Sequence, residues 1–178
     1  MGKVTGYSST IEIEDKDIPV IGDVKKINIE NWAHFLSYYR YYVDKFAVDV
    51  LGMTNLFPFQ RLLLRVMGRY PNTMIIACRG LTKSYISAIF LHCMAVLYPG
   101  IKIGIVSGNG NQARMVIKQK IQGELYNNDN VARDISGIYV SQENCVVEYK
   151  NGSSIRAISL GQNNKGDSAR GEQTCLSV

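Results

Sequence analysis

The residues with the most chemical potential stand together as Arg79-Gly80-Leu81-Thr82-Lys83-Ser84, a polar stretch between two apolar ones. A lysine and a serine at the mouth of a helix suit a triphosphate tail. The first backbone N–H groups of a helix lack intrahelical partners, and the helix dipole is positive at that end. The Lys83 ammonium would reach the outer phosphates, and the Ser84 hydroxyl would bind a Mg²⁺ ion held with them. The general pattern is G-x-x-x-x-G-K-[ST]. This chain departs from it twice, with Ala77 at the first glycine and Thr82 at the second. A Cβ at position 82 meets strain or crowding that glycine escapes, whereas Gly80 gives the loop local freedom. A Lys-Ser pair alone carries no information, and the competing reading is an ordinary strand-to-helix connection.

The elements around the pair supply its context. Thr73 to Cys78 is a short apolar run that predicts a buried strand entering the loop. Tyr85 to Leu97 predicts an apolar helix leaving it, stopped by Pro99-Gly100. Upstream, Trp32, Phe35, Tyr39, Tyr42 and Phe46 recur at helical spacing from an Asn28 or Asn31 cap. That period packs Tyr38, Tyr39 and Tyr42 on one face and leaves Tyr41 on the other. Leu56-Phe57-Pro58-Phe59-Gln60 opens a further helix through Leu62, Leu63, Val66 and Met67, with Pro58 in its first turn. Downstream come a buried strand, Ile101 to Val106, and a helix, Gln112 to Tyr126, with Met115, Val116 and Ile117 toward the core. Asn144 to Tyr149 and Ser154 to Ile158 are joined at Lys150-Asn151-Gly152, an Asn-Gly hairpin turn. Residues 160–170 form a polar, glycine-bearing loop, and Thr174 to Val178 begins another strand. Strands alternating with helices predict an α/β fold with a mainly parallel sheet, flanking helices and an inserted β-hairpin. Residues 1–29 read as an N-terminal arm and 30–178 as the domain.

Composition narrows the functional classes. The chain has 178 residues, 46% of them hydrophobic, enough to bury a core. Its four cysteines, Cys78, Cys93, Cys145 and Cys175, stand far apart without a CxxC pair, which argues against a disulfide framework or a zinc site. No apolar run reaches bilayer-spanning length, and the N-terminus lacks a signal-peptide pattern. The net charge of +5 is uneven: residues 1–30 hold four basic and six acidic side chains, and residues 31–178 hold sixteen and nine. A basic body suits a polyanion such as a nucleotide or DNA, although an ordinary solvated surface explains the same balance.

In order and spacing, residues 50–178 resemble the large terminase subunit of tailed bacteriophages, the DNA-packaging motor. Leu56-Phe57-Pro58-Phe59-Gln60 resembles that family's adenine-sensing glutamine motif. Ala77-Cys78-Arg79-Gly80-Leu81-Thr82-Lys83-Ser84 resembles its deviant Walker A loop, which often carries an early arginine and lacks the first glycine; Thr82 departs even from that form. Ile103-Gly104-Ile105-Val106-Ser107 with Gln112-Ala113 resembles the next strand and helix. Gly152-Ser153-Ser154-Ile155-Arg156-Ala157 and Gly166-Asp167-Ser168-Ala169-Arg170-Gly171 resemble the hairpin and Arg-Gly loop before Walker B.

The resemblance implies a P-loop NTPase-like fold, ATP and Mg²⁺ as ligands, and ATP hydrolysis coupled to translocation of double-stranded DNA into a procapsid. It implies a homo-oligomeric ring, portal and small-terminase partners, no membrane, and the cytoplasm of the infected bacterial host. It places ATP on Gln60, Gly80, Leu81, Thr82, Lys83 and Ser84, Mg²⁺ on the Ser84 hydroxyl, and catalytic roles on Arg79 and Lys83. Arg79 would neutralise charge developing on the γ-phosphate. Gln60 offers a two-way amide to an adenine edge or serves as a helix-start cap. Arg170 reads as a sensor of phosphate or of a neighbouring subunit, or as a solvated loop arginine. In that family an Asp-Glu pair ends the strand that Thr174 to Val178 would form. The sequence stops where that pair would begin, so the expectation is a fold incomplete at the C-terminus, binding nucleotide with little turnover. Asp167 and Glu172 precede the strand and are not assigned as bases, and His34 and His92 read as packed or solvated. Two rivals stand beside this reading. One is a helicase-like ATPase, which would keep glycine before Lys83. The other is a catalytically incomplete P-loop module that works through protein contacts.

Overall fold

Aromatic residues at helical spacing produce the first element of the computed structural model, which describes residues 29–78, 80–107, 110–141, 145–159 and 176–177. Helix α1 runs Ile29–Tyr41. Tyr39 is fully buried and Tyr41 is exposed, as the period requires. A short α2, Val43–Lys45, continues into wider turns over Phe46–Val50, where the Leu51 N–H bonds five residues back to the Phe46 carbonyl. Helix α3, Pro58–Arg69, carries proline in its first turn and ends before Pro71. Its fully buried apolar contact is Leu64, while Leu62 is exposed. Arg65 clamps the buried Asp44 carboxylate with two hydrogen bonds of 3.0 and 2.7 Å, locking α3 to α2.

Helix α4, Lys83–Leu97, is the hub. It is apolar almost all round, and a helix of that kind must be buried on nearly every side. Ile86, Ile89, Phe90, Leu91, Ala95 and Leu97 are all buried. The helix touches α1 and α3 as well as strands β1, Lys102–Ser107, and β4, Ser154–Ser159. Its C-terminal carbonyls are all claimed. Arg40 donates twice to the Leu97 carbonyl at 3.0 and 2.8 Å, Asn151 donates to the Ala95 carbonyl at 2.8 Å, and the Ser153 hydroxyl donates to the Tyr98 carbonyl at 3.1 Å. The far end is therefore held by α1 and by the hairpin turn, and the N-terminal end is left to face the site.

Helix α5, Gly110–Met115, runs into wider turns over Val116–Gln122, and α6, Asp129–Ala132, leads to the remaining strands. These are β2, Ile135–Val140, β3, Cys145–Tyr149, and a two-residue β5, Leu176–Ser177. The sheet order is β2-β3-β4-β1-β5. Strand β1 pairs in parallel with β4 and β5, while β2–β3 and β3–β4 are antiparallel. The sheet is thus mixed, not mainly parallel. The expected hairpin is present, with Gly152 at φ 82° in its turn. It contributes one antiparallel pair, and the unforeseen β2 contributes the second.

Two further expectations are corrected. Thr73 to Cys78 is not a buried strand: it forms no ladder, and Met74 and Ile76 are each 88% exposed. A strand exists only where a neighbour supplies its hydrogen bonds, and β1 is already flanked by β4 and β5. Met115 is not core. The buried stripe of α5 and its continuation is Ala113, Ile117 and Ile121, at spacing four, and it turns Met115 outward to 47% exposure. Among the described residues no helix is long and apolar enough to cross a membrane.

His92, fully buried in α4, ties the hub to the sheet through a 3.0 Å hydrogen bond between its Nδ1 and the Tyr149 hydroxyl. Burial lowers its pKa from 6.5 to about 4, so the folded protein holds the ring neutral. The unfolded chain therefore binds the extra proton first. The resulting stability is complete above pH 6.5 and is lost as pH falls toward 4, on the order of 3 kcal/mol in all. Urea unfolding across that window should show this slope in the wild type and a flatter one in His92→Gln. An equal slope in both would contradict the assignment.

Candidate functional site

The Walker-like segment folds as a tight loop into α4. Gly80 sits at φ 87°, and Thr82, the N-cap of α4, sits at φ 49° and ψ 26°. Thr82 is the one described non-glycine residue with positive φ. For a β-branched residue this left-handed conformation is a true outlier and costs about 1–2 kcal/mol. It occupies the position where the general pattern has glycine. The departure read in the sequence therefore places a β-branched residue in a conformation that glycine adopts freely.

Gln60 contacts the residue in that conformation. Its side chain is 4% exposed. Its Oε1 accepts the Phe57 N–H at 2.9 Å, and its Nε2 donates to the Thr82 hydroxyl at 2.8 Å. The first contact fixes the start of α3, and the second reaches 22 residues along the chain to the loop. Sequence reasoning placed Gln60 and the loop in one site, and the structure brings them into direct contact.

The Lys83 ammonium folds back over the loop's approach. Nζ donates to the Ala77 carbonyl at 2.9 Å and to the Cys78 carbonyl at 2.5 Å. The first intrahelical bond at this end of α4 runs from the Ile86 N–H to the Thr82 carbonyl at 3.0 Å, so the amides of Lys83, Ser84 and Tyr85 precede the ladder. Lys83 and Ser84 border two cavities. One, about 660 Å³, is also bounded by Phe57, Gln60, Gly80 and Thr82. The other, about 540 Å³, runs along α4 to Ser107 at the carboxyl end of β1, where parallel α/β sheets place ligands. The structure thus gathers Gln60, Gly80, Leu81, Thr82, Lys83 and Ser84 around the larger cavity.

Lys120 and Glu124 were not foreseen. Lys120 borders both cavities, Glu124 borders the larger, and the two form an i,i+4 ion pair. Their signal lay in the same periodicity that buries Ala113, Ile117 and Ile121, which leaves positions 116, 120 and 124 on an adjacent face. Burial, and then the Glu124 carboxylate, raises the pKa of the neighbouring Tyr85 phenol. Arg79, Asp167, Arg170 and Glu172 lie outside the described residues, and His34 does not border either cavity.

No cluster of three or more His, Cys, Asp or Glu suited to a metal occurs among the described residues. The Ser84 hydroxyl, exposed at the cavity, is a hard oxygen donor of the kind Mg²⁺ takes alongside phosphates and water. Compared with models of known protein families and with curated proteins, the sequence matches none.

Three described cysteines are free thiols: Cys78 is exposed, and Cys93 and Cys145 are buried. Burial pushes both buried thiols up, Cys93 far up, so neither offers a thiolate at neutral pH. Iodoacetamide under native conditions, mapped by mass spectrometry, should modify Cys78 and spare Cys93 and Cys145 until the chain unfolds. Comparable rates at Cys78 and Cys93 would contradict both the exposed approach segment and the packing of α4.

Proposed function

We propose that this chain is the nucleotide-binding part of a P-loop motor ATPase of the kind it resembles, the phage terminase large subunit. In that role ATP hydrolysis drives double-stranded DNA into a procapsid in the infected bacterial cytoplasm. The motor works as a ring alongside the portal and the small terminase subunit. The observation that carries the reading is the Lys83 ammonium at the open end of α4, beside three amides outside the helical ladder and bordering two cavities.

The chemistry follows from the bonds already made. Two neutral carbonyls satisfy the Lys83 ammonium, and phosphate oxygens are stronger, charge-assisted acceptors. A triphosphate entering the larger cavity meets the amides of Lys83, Ser84 and Tyr85 at the positive end of the α4 dipole. Lys83 then turns from the Ala77 and Cys78 carbonyls to the phosphates. Ser84 would hold Mg²⁺, which when bound neutralises phosphate charge. The loop arginine, Arg79, is proposed to act on the γ-phosphate. A second reading, a catalytically incomplete P-loop module that works through protein contacts, draws on the exposed Met74 and Ile76 beside the loop.

Calorimetric titration of the chain with Mg·ATP tests the proposal. Binding in the wild type and a loss of roughly 10–100-fold in Lys83→Ala is the expected result, since a hydrogen bond to a charged group contributes about 1.5–3 kcal/mol. Unchanged affinity in a Lys83→Ala protein with native circular dichroism would overturn the site. ATPase assays on the same samples help separate the two readings: turnover that is lost in Lys83→Ala supports the motor, and absence of Mg·ATP binding supports the module.

A further inference from the structure

An amide side chain beside a nucleotide cavity invites a base-reading role, and the bonds Gln60 makes argue otherwise. It is nine-tenths buried, its oxygen is engaged by the Phe57 N–H, and its nitrogen is engaged by the Thr82 hydroxyl. A group that discriminates adenine from guanine must present a free donor and acceptor pair to the base edge. Gln60 commits one donor and one lone pair to the protein, and at 4% exposure it presents little of the remainder to a base. The residue it grips is the one in the conformation that L-residues avoid.

The aromatic surface beside it has a different character. Phe57 borders the larger cavity, is 63% exposed, and lies nearly parallel to Phe59, with centroids 6.0 Å apart and planes at 12°. A ring face of this kind stacks on any base, because every base has a π-face.

We propose that Gln60 is a positioning residue of the phosphate loop, holding Thr82 in its left-handed conformation, and that the site takes nucleoside triphosphates with little discrimination between bases. The inference rests on the phosphate-site reading above and adds which part of the ligand the protein recognises. Gln60 acts through Thr82: lose its grip, and the loop relaxes away from the path that sets Lys83 and Ser84 at the edge of the cavity. Glycine at 82 adopts that path unaided, so it makes Gln60 dispensable.

The test compares ATP, GTP and inorganic tripolyphosphate, each with Mg²⁺, on four proteins: wild type, Gln60→Ala, Thr82→Gly and the double variant. The wild type should bind ATP and GTP within about threefold of each other. Gln60→Ala should weaken all three ligands by a similar factor, about tenfold, the loss expected for one disrupted hydrogen-bonded contact. The double variant should recover the affinity of Thr82→Gly, and its urea midpoint should fall less on losing Gln60 than that of the Thr82 protein. Weakening of ATP alone, with tripolyphosphate unaffected, would make Gln60 a base reader and overturn the inference while leaving the phosphate site standing. Failure of Thr82→Gly to rescue Gln60→Ala would also overturn it. Absence of binding by all three ligands to the wild type would remove the phosphate site itself and the inference with it.

Discussion

The open end of α4 depends on the closed end. A helix buried on nearly every side cannot slide or rotate without losing its packing. Arg40, Asn151 and Ser153 take carbonyls at its C-terminus, and among the described residues the amides of Lys83, Ser84 and Tyr85 stand before its hydrogen-bond ladder. The proposed anion site uses that asymmetry: one terminus is spent on holding the fold, and the other borders the cavities. The hairpin turn takes part as well, since Asn151 and Ser153 make the loop between β3 and β4 a clamp on the same helix.

The loop before α4 shows how a threonine is accommodated in the left-handed region. Threonine in place of glycine would ordinarily move the backbone out of the left-handed region. Here the hydroxyl that a threonine brings is also what a neighbouring amide can hold, so substitution and support arrive together in Thr82 and Gln60. The Lys83 ammonium rests on the Ala77 and Cys78 carbonyls, which keeps a half-buried cation solvated by the backbone. Both contacts link α3, the approach segment and α4 into one local unit around the cavities.

Much of this was legible in the sequence wherever structure is set by neighbouring residues. The Asn151-Gly152 turn announced the hairpin, Pro58 the start of α3, Pro99-Gly100 the end of α4, and the tyrosine spacing the buried face of α1. The failures share a different cause. Thr73 to Cys78 has the composition of a buried strand, but a strand is made by its neighbours, and β1 had other partners. Strand β2 went unseen because Gly137 and a register shift after Ile135 break its alternation, while Tyr139 folds its ring over Gly137. Met115 was misplaced by one step of helical phase. At the site, Gln60 and Lys83 were visible as types in a pattern. Their partners were not: the Gln60–Thr82 bond spans 22 residues, and the Lys83 bonds go to backbone carbonyls, which carry no residue-type signal.

The central claim is that the amides of Lys83, Ser84 and Tyr85 at the head of α4 are the ligand's landing point. Hydrogen–deuterium exchange resolved to single amides, with and without Mg·ATP, tests it most directly. The account predicts slowed exchange concentrated at Lys83, Ser84 and Tyr85, with α3 beyond its first turn and the β3–β4 hairpin unchanged. Exchange at those three amides that ignores saturating nucleotide would contradict it.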